Sequence, residues 1–359
     1  MPTHPSAVAS AGRILGVALL AATLHAGGTA RADAPPPATS TVPTTRPCLA
    51  VLDRFKTGEA IKPVSNWKPD PSEKLPGEGL ARHSMLYVGE GLNTIFLITG
   101  GKVVWAYDTG KGGELDDVWM MSNGHVLFSR QDYAAEVTPE KKEVWRFDCP
   151  PGTEIHSLQP VGLDKVMLVQ NAVPNPHVLI VDKKTGRTEA DKTLPVKNAN
   201  PHAPFRRGRL TAQGTFLMAF TSGRTVEYDR DMKEVWTYAL PSGWAAVRLR
   251  NGNTLLTAER QQLTREVDPQ GKTVWEFDLT KDVPAGIDFR QTQSCTRLAN
   301  GNTIICSRGG PKKGCQLIEV TPDKKVVWVL HDWANLGPAT AVQILDDPGT
   351  PEAPGESEH

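Results

Sequence analysis

Five short stretches alternate charged and apolar positions around a tryptophan: Lys102–Asp108, Lys142–Asp148, Lys233–Tyr238, Lys272–Asp278 and Lys325–Leu330 all read Lys-x-Val-Trp. A period of two over six or seven residues predicts a strand with one buried face. The tryptophans are 40, 91, 39 and 53 residues apart, and the gap of 91 holds a divergent copy at Thr185–Glu189, which makes six units. Ahead of these strands come others that end in charged turns: Ala135–Pro139, Val226–Asp229, Arg265–Pro269 and Leu317–Pro322. Ahead of those are hairpins centred on Asn123-Gly124, Asn251-Gly252 and Asn300-Gly301, a pair that tolerates the positive φ angles of a tight turn.

Each unit therefore reads as four antiparallel strands, and four strands recurring at such a period predict an all-β fold, a single β-propeller of about six four-stranded blades. The first unit shows three strands, over 82–88, 93–99 and 102–108, while an isolated apolar strand at 339–345 follows the last tryptophan. That strand is expected to complete the first blade and close the ring. The repeated tryptophan, one large ring at the same place in each unit, is expected to wedge neighbouring blades apart rather than to bind anything.

The Gly-Lys-x-Val-Trp-x-x-Asp endings and Asn-Gly-Asn-Thr hairpins resemble the pyrroloquinoline-quinone-like propeller repeat superfamily over residues 82–347. Arylsulfotransferases, an outer-membrane assembly lipoprotein and the quinoprotein alcohol dehydrogenases are among its members. The resemblance implies the fold. The dehydrogenases use eight blades and adjacent cysteines beside their quinone, whereas this chain has six units and no adjacent cysteines, so no quinone and no other cofactor is expected. The arylsulfotransferases carry the sulfuryl group on a histidine, and Glu154-Ile155-His156 is similar to that setting.

The ends of the chain have a different character. Arg13, the apolar run Ile14–Ala22 and Ala30-Arg31-Ala32 have the form of a signal peptide cleaved after Ala32, which implies a periplasmic or secreted protein. A Pro/Thr-rich linker over 33–47, an N-terminal extension over 48–81 and a disordered tail over 348–359 are expected to flank the propeller at 82–347. No later run is long and apolar enough to span a membrane. Basic and acidic residues balance at 40 each, and loss of Arg13 and Arg31 leaves 38 against 40, which offers no field for nucleic acid.

None of the five cysteines (48, 149, 295, 306 and 315) has a metal-binding spacing, and no metal is expected. If Asn300-Gly301 makes a two-residue turn, Cys295 faces Cys306 across a pair spaced wider than cystines prefer; a disulfide and two packed thiols both remain open.

In a propeller the starts of the inner strands and the loops between second and third strands meet at one mouth of the channel. The residues gathered there are Asp117, Trp119, Gln159, Arg206, Arg207, Trp244 and Gln293 from inner strands, and Arg130, Arg260 and Arg308 from loops. Arginine forks with tryptophan faces suit a small polar or anionic ligand, and an acidic saccharide satisfies both. An alternative is an enzyme at the same mouth, for sulfuryl transfer or carbohydrate cleavage, with His156, His202 and Arg207 as its catalytic groups. A third is a scaffold whose flat face binds a protein partner.

Overall fold

The computed structural model describes residues 41–55, 68–89, 91–309 and 314–359, and the expected leader lies outside them. Among the described residues the strands form six four-stranded antiparallel sheets. These are blade 1 (residues 85–108 with 341–344), blade 2 (115–148), blade 3 (154–193), blade 4 (205–239), blade 5 (243–278) and blade 6 (292–330). The expected six-bladed propeller is thus the observed fold. Ala341–Ile344 pairs antiparallel with Met85–Val88, Met85 opposite Ile344 and Val88 opposite Ala341, so a strand from the far end of the sequence supplies the inner edge of blade 1.

Burial follows position in the blade. The inner strand Leu115–Met120 and the middle strands Val126–Arg130 and Tyr133–Val137 are buried throughout, whereas the outermost strand Glu143–Asp148 turns Trp145 inward and leaves its neighbours exposed. This explains why the Lys-x-Val-Trp strands alternate so visibly: they are the outer strands, with one face in water. Their indoles reach the next blade. Trp105 donates to the Pro139 carbonyl at 2.8 Å, Trp236 to Pro269 at 3.0 Å and Trp275 to Pro322 at 3.1 Å. Trp328 donates to Gly79 in the N-terminal extension at 2.7 Å, which carries the same wedge across the closure.

Beside these wedges, third-strand glutamates pair with cations of the following blade, Glu266 with Arg297 at 2.8 Å and Glu319 with Arg82 at 3.2 Å.

Two expectations need correction. The Asn-Gly hairpins are three-residue loops, closed by Leu298 N–H donating to Asn302 O at 2.8 Å, with Gly301 at φ +88°. The odd loop length moves the register by one: Cys295 lies opposite Ile305, Cys306 lies opposite Leu317, and all five cysteines are free. The residues from 348 to 359 are packed rather than disordered. They run across the turn end of the propeller, where Gly162 N–H donates to Glu352 O at 2.8 Å, Arg297 N–H to Glu358 O at 3.0 Å, and Arg250 pairs with the Glu358 carboxylate at 2.9 Å. Glu352 and Glu358 thus reach donors on blades 3, 5 and 6.

Candidate functional site

Five of the six inner strands carry a β-bulge near the mouth. The pairing of blade 2 jumps from Leu115 to Asp117, that of blade 3 from Ile155 to Ser157, and that of blade 4 from Phe205 to Arg207. Blades 5 and 6 jump from Gly243 to Ala246 and from Thr292 to Cys295. Each bulge adds one residue to the inner strand and breaks the alternation of faces, so two successive side chains meet the neighbouring inner strands. The extra residues are Asp116, His156 and Arg206, with Trp244 and Gln293 at the corresponding places. They form the rim of the mouth.

His156 lies at the centre of this rim and is fully buried. Its Nδ1 is 2.6 Å from Asp116 Oδ2 and 3.2 Å from Glu114 Oε2, and its Nε2 is 2.7 Å from Glu154 Oε2. His202 hangs over it from the loop before blade 4, with the ring centroids 5.4 Å apart. His202 Nδ1 is 2.9 Å from the same Glu154 oxygen, and its Nε2 is 3.0 Å from Arg206 Nη2. Arg206 lies 3.7 Å from Glu114 and covers Trp244, 5.4 Å from the ring centroid.

The charges follow from this geometry. Desolvation would lower the His156 pKa, but hydrogen bonds to Asp116, Glu114 and Glu154 outweigh it and push the value up to about 10. Burial lifts Glu154, yet His156, His202 and Gln131 bring it down to about 2. The cluster thus favours the protonated form of His156, with a carboxylate against each ring nitrogen.

A second cluster lies deeper in the channel. Asp117 accepts from Arg207 at 2.9 Å and from Arg209 at 2.7 and 3.1 Å, and Ser157 Oγ is 3.3 Å from it. Arg207 also donates to the Asp116 carbonyl at 3.0 Å, so its guanidinium is bonded to Asp116 and Asp117. Below this cluster, Trp119 donates to Leu158 O at 3.0 Å and meets His359 edge-on at 4.7 Å, which places it toward the turn end of the channel. Gln159 also leaves the mouth, exchanging two hydrogen bonds with the Leu210 backbone.

The expected convergence of arginines is mostly absent. Arg130 is buried and bonded to Asn93 and Thr109, Arg308 pairs with Glu259 at 3.3 Å, and Arg260 lies exposed on the rim. Gln293 is buried and its side-chain amide has no hydrogen-bond partner. Of the selected residues, His156, His202, Arg206 and Trp244 come together. Glu114 and Glu154 were not selected, although Glu-x-His at an inner-strand start was a usable signal for Glu154. A cleft of about 400 Å³ lined by Gln262, Leu279, Thr280 and residues 283–290 includes none of these residues.

Fold and site define a six-bladed propeller with a titratable cluster at one channel mouth. No protein-family model matches the chain, and no curated protein matches it. Among solved structures it is similar to a protein of unknown function from Bacteroides caccae, at 23% identity and a TM-score of 0.66, over 72% of this chain and 97% of that one. It is also similar to a streptogramin B lyase at 12% identity and a TM-score of 0.50, over 70% and 84% of the two chains. A catalytically inactive virginiamycin B lyase from Staphylococcus aureus with quinupristin matches at 11% identity with the same TM-score, over 70% and 85%. At these identities the likeness is one of fold.

Proposed function

We propose that this is an exported propeller that binds a small polar molecule, an acidic saccharide being the leading class, at the mouth formed by His156, His202, Arg206 and Trp244. One observation carries the reading. Buried polar atoms of the rim keep unused hydrogen-bonding capacity: Asp116 Oδ1 has no hydrogen-bond partner, while Glu114 Oε2 and Arg206 Nε meet each other only at 3.7 Å, with His156 Nδ1 at 3.2 Å from the former. Native interiors leave few such atoms, so three at one channel mouth favour a ligand that completes them. Sugar hydroxyls donate to Glu114 and Glu154, and an acidic group pairs with the Arg206 fork.

The test is a thermal scan against acidic, sulfated and neutral saccharides, with Arg206→Ala as control. A true ligand at 100 times its Kd stabilises by about 2.7 kcal/mol, and the control should lose most of this. No shift across the panel, or equal shifts in both proteins, would overturn the reading.

The enzymatic alternative passes from His156 to His202, whose side chain is 42% exposed and open to a ligand. A His202→Ala protein that binds but does not turn over would favour it.

A further inference from the structure

We propose that the same mouth holds a divalent metal ion, with His156, His202 and Glu154 as ligands and Glu114 beside them. The inference deepens the ligand-site reading and rests on it for the metal's purpose.

The donor set is the first argument. One oxygen of Glu154 stands 2.7 Å from His156 Nε2 and 2.9 Å from His202 Nδ1, so two imidazoles and a carboxylate already converge from blade 3 and the loop before blade 4. Ligand atoms of Glu114, His156 and His202 lie within 4.8 Å of one another. An ion about 2.1 Å from each donor holds its ligands up to about 4.2 Å apart, so a small rotation of the half-exposed His202 is what the site requires, with Glu114 on the other edge of the two rings, 3.2 Å from His156 Nδ1 and 3.5 Å from His202 Nε2. Two imidazoles with carboxylates suit zinc, manganese, iron or cobalt better than calcium, which prefers oxygen alone.

The arrangement behind the donors is an independent argument. A histidine that ligates a metal usually gives its other ring nitrogen to a carboxylate, which fixes the ring and its tautomer. His156 has this partner in Asp116, 2.6 Å from Nδ1, itself buried and held on an inner-strand bulge. On His202, Nε2 is 3.0 Å from the donor Arg206 Nη2 and 3.5 Å from Glu114 Oε1, and only the carboxylate can take its proton. Both rings are thus oriented with Nε2 of one and Nδ1 of the other toward Glu154.

Charge balance gives the ion a role. Glu114, Asp116 and Glu154 outnumber Arg206 at the rim, which repels an anionic ligand. A dication among these carboxylates offsets the two negative charges that Arg206 leaves unbalanced. Its remaining coordination positions, on the exposed His202 side, then accept a carboxylate or hydroxyl oxygen, with Arg206 next to it.

The experiment is metal binding to chelator-treated full-length protein, with Zn2+, Mn2+ and Co2+ followed by equilibrium dialysis and the visible absorption of Co2+. One equivalent should bind, with a Co2+ spectrum of mixed nitrogen and oxygen ligation. Since His156→Ala removes a buried group and can fail to fold, the deciding variants are His202→Ala and Glu154→Gln, each expected to weaken binding at least 100-fold. Asp116→Asn should weaken it about 10- to 100-fold by loosening the His156 ring. Absence of binding at millimolar metal, or undiminished binding in both deciding variants, overturns the site. Repeating the saccharide scan with chelator separates the two readings: shifts without metal binding sink only the metal, and metal binding without any shift sinks only the ligand.

Discussion

Arg209 of blade 4 grips Asp117 of blade 2 across the channel through two parallel hydrogen bonds, Nη1 to Oδ2 at 2.7 Å and Nη2 to Oδ1 at 3.1 Å. Arg207 adds a third at 2.9 Å, so one fully buried carboxylate balances two buried guanidinium groups. Removing one partner of such a group leaves charge uncompensated in a dry interior, at a cost of about 3–5 kcal/mol. Asp117→Ala should therefore lose about that much stability in urea unfolding, far more than a rim change such as Arg260→Ala. Burial raises the Asp117 pKa, but Arg207 and Arg209 outweigh it and hold the value low. The stability Asp117 contributes is present above the ordinary value of 3.8 and fades as pH falls through the lowered one. The gap between wild type and variant should narrow in strong acid.

The tryptophan wedges should not all be worth the same. Trp105 is 1% exposed, donates to the Pro139 carbonyl and meets the Phe55 ring edge-on at 5.5 Å, whereas Trp275 is only half-buried. Trp105→Ala should cost about 3–5 kcal/mol and leave a buried carbonyl unpaired; Trp275→Ala should cost clearly less. Paired denaturation curves decide. Equal losses would show that the indole hydrogen bond, common to both, outweighs burial.

Ring closure rests on a close backbone approach. A Cβ on Gly89, at the end of the first strand of blade 1, would stand 1.6 Å from the Pro338 carbonyl that leads into the closing strand. The neighbour is backbone, so the seam itself must move. Gly89→Ala should lower the melting temperature at a cost of about 1–3 kcal/mol, while Gly91→Ala, with open space around it, should show only the strain of its positive φ. Deleting residues 339–359 removes four register pairs of blade 1 and should abolish the cooperative transition. A truncated chain that melts like the full one would show that closure is dispensable.

The blades were legible because the outer strands face water on one side, and a period of two survives only where one face is polar. The inner strands, buried on both faces, carry no such alternation. For that reason the positions of His156 and Arg206 could be placed at the mouth while their partners could not. The bulges were the missing element: nothing in Leu-Asp-Asp, Ile-His-Ser or Phe-Arg-Arg distinguishes an extra residue from an ordinary one, yet that residue decides which side chains meet. Arg207, expected beside His156, is bonded to Asp117 and to the Asp116 carbonyl, partners that the sequence does not show. The same blindness to odd loop lengths placed Cys295 opposite Cys306.

His83 offers a test of the closure at physiological pH. Its Nε2 lies 3.0 Å from Glu319 of blade 6 and its Nδ1 3.1 Å from Asp346 beyond the closing strand, with Arg82 also on Glu319 at 3.2 Å and the Trp328 ring edge-on at 5.1 Å. Desolvation opposes the charge on His83, but the hydrogen bonds to Asp346 and Glu319 raise its pKa above the ordinary 6.5. Glu319 is lifted by burial and then pulled down from 4.5 to about 2, first by His83 and next by Asn302 and Arg82. A raised histidine stabilises fully below 6.5 and loses its contribution as pH climbs through the folded value; a lowered glutamate stabilises fully above 4.5 and loses it as pH drops toward about 2. Both contributions are complete between pH 4.5 and 6.5. His83→Gln should accordingly show its largest loss in that window, and the two proteins should converge as the pH is raised well above it. Urea midpoints measured from pH 4.5 to 9 give the comparison, and a loss that is constant with pH would mean that His83 acts at the seam by packing on Trp328 rather than by charge.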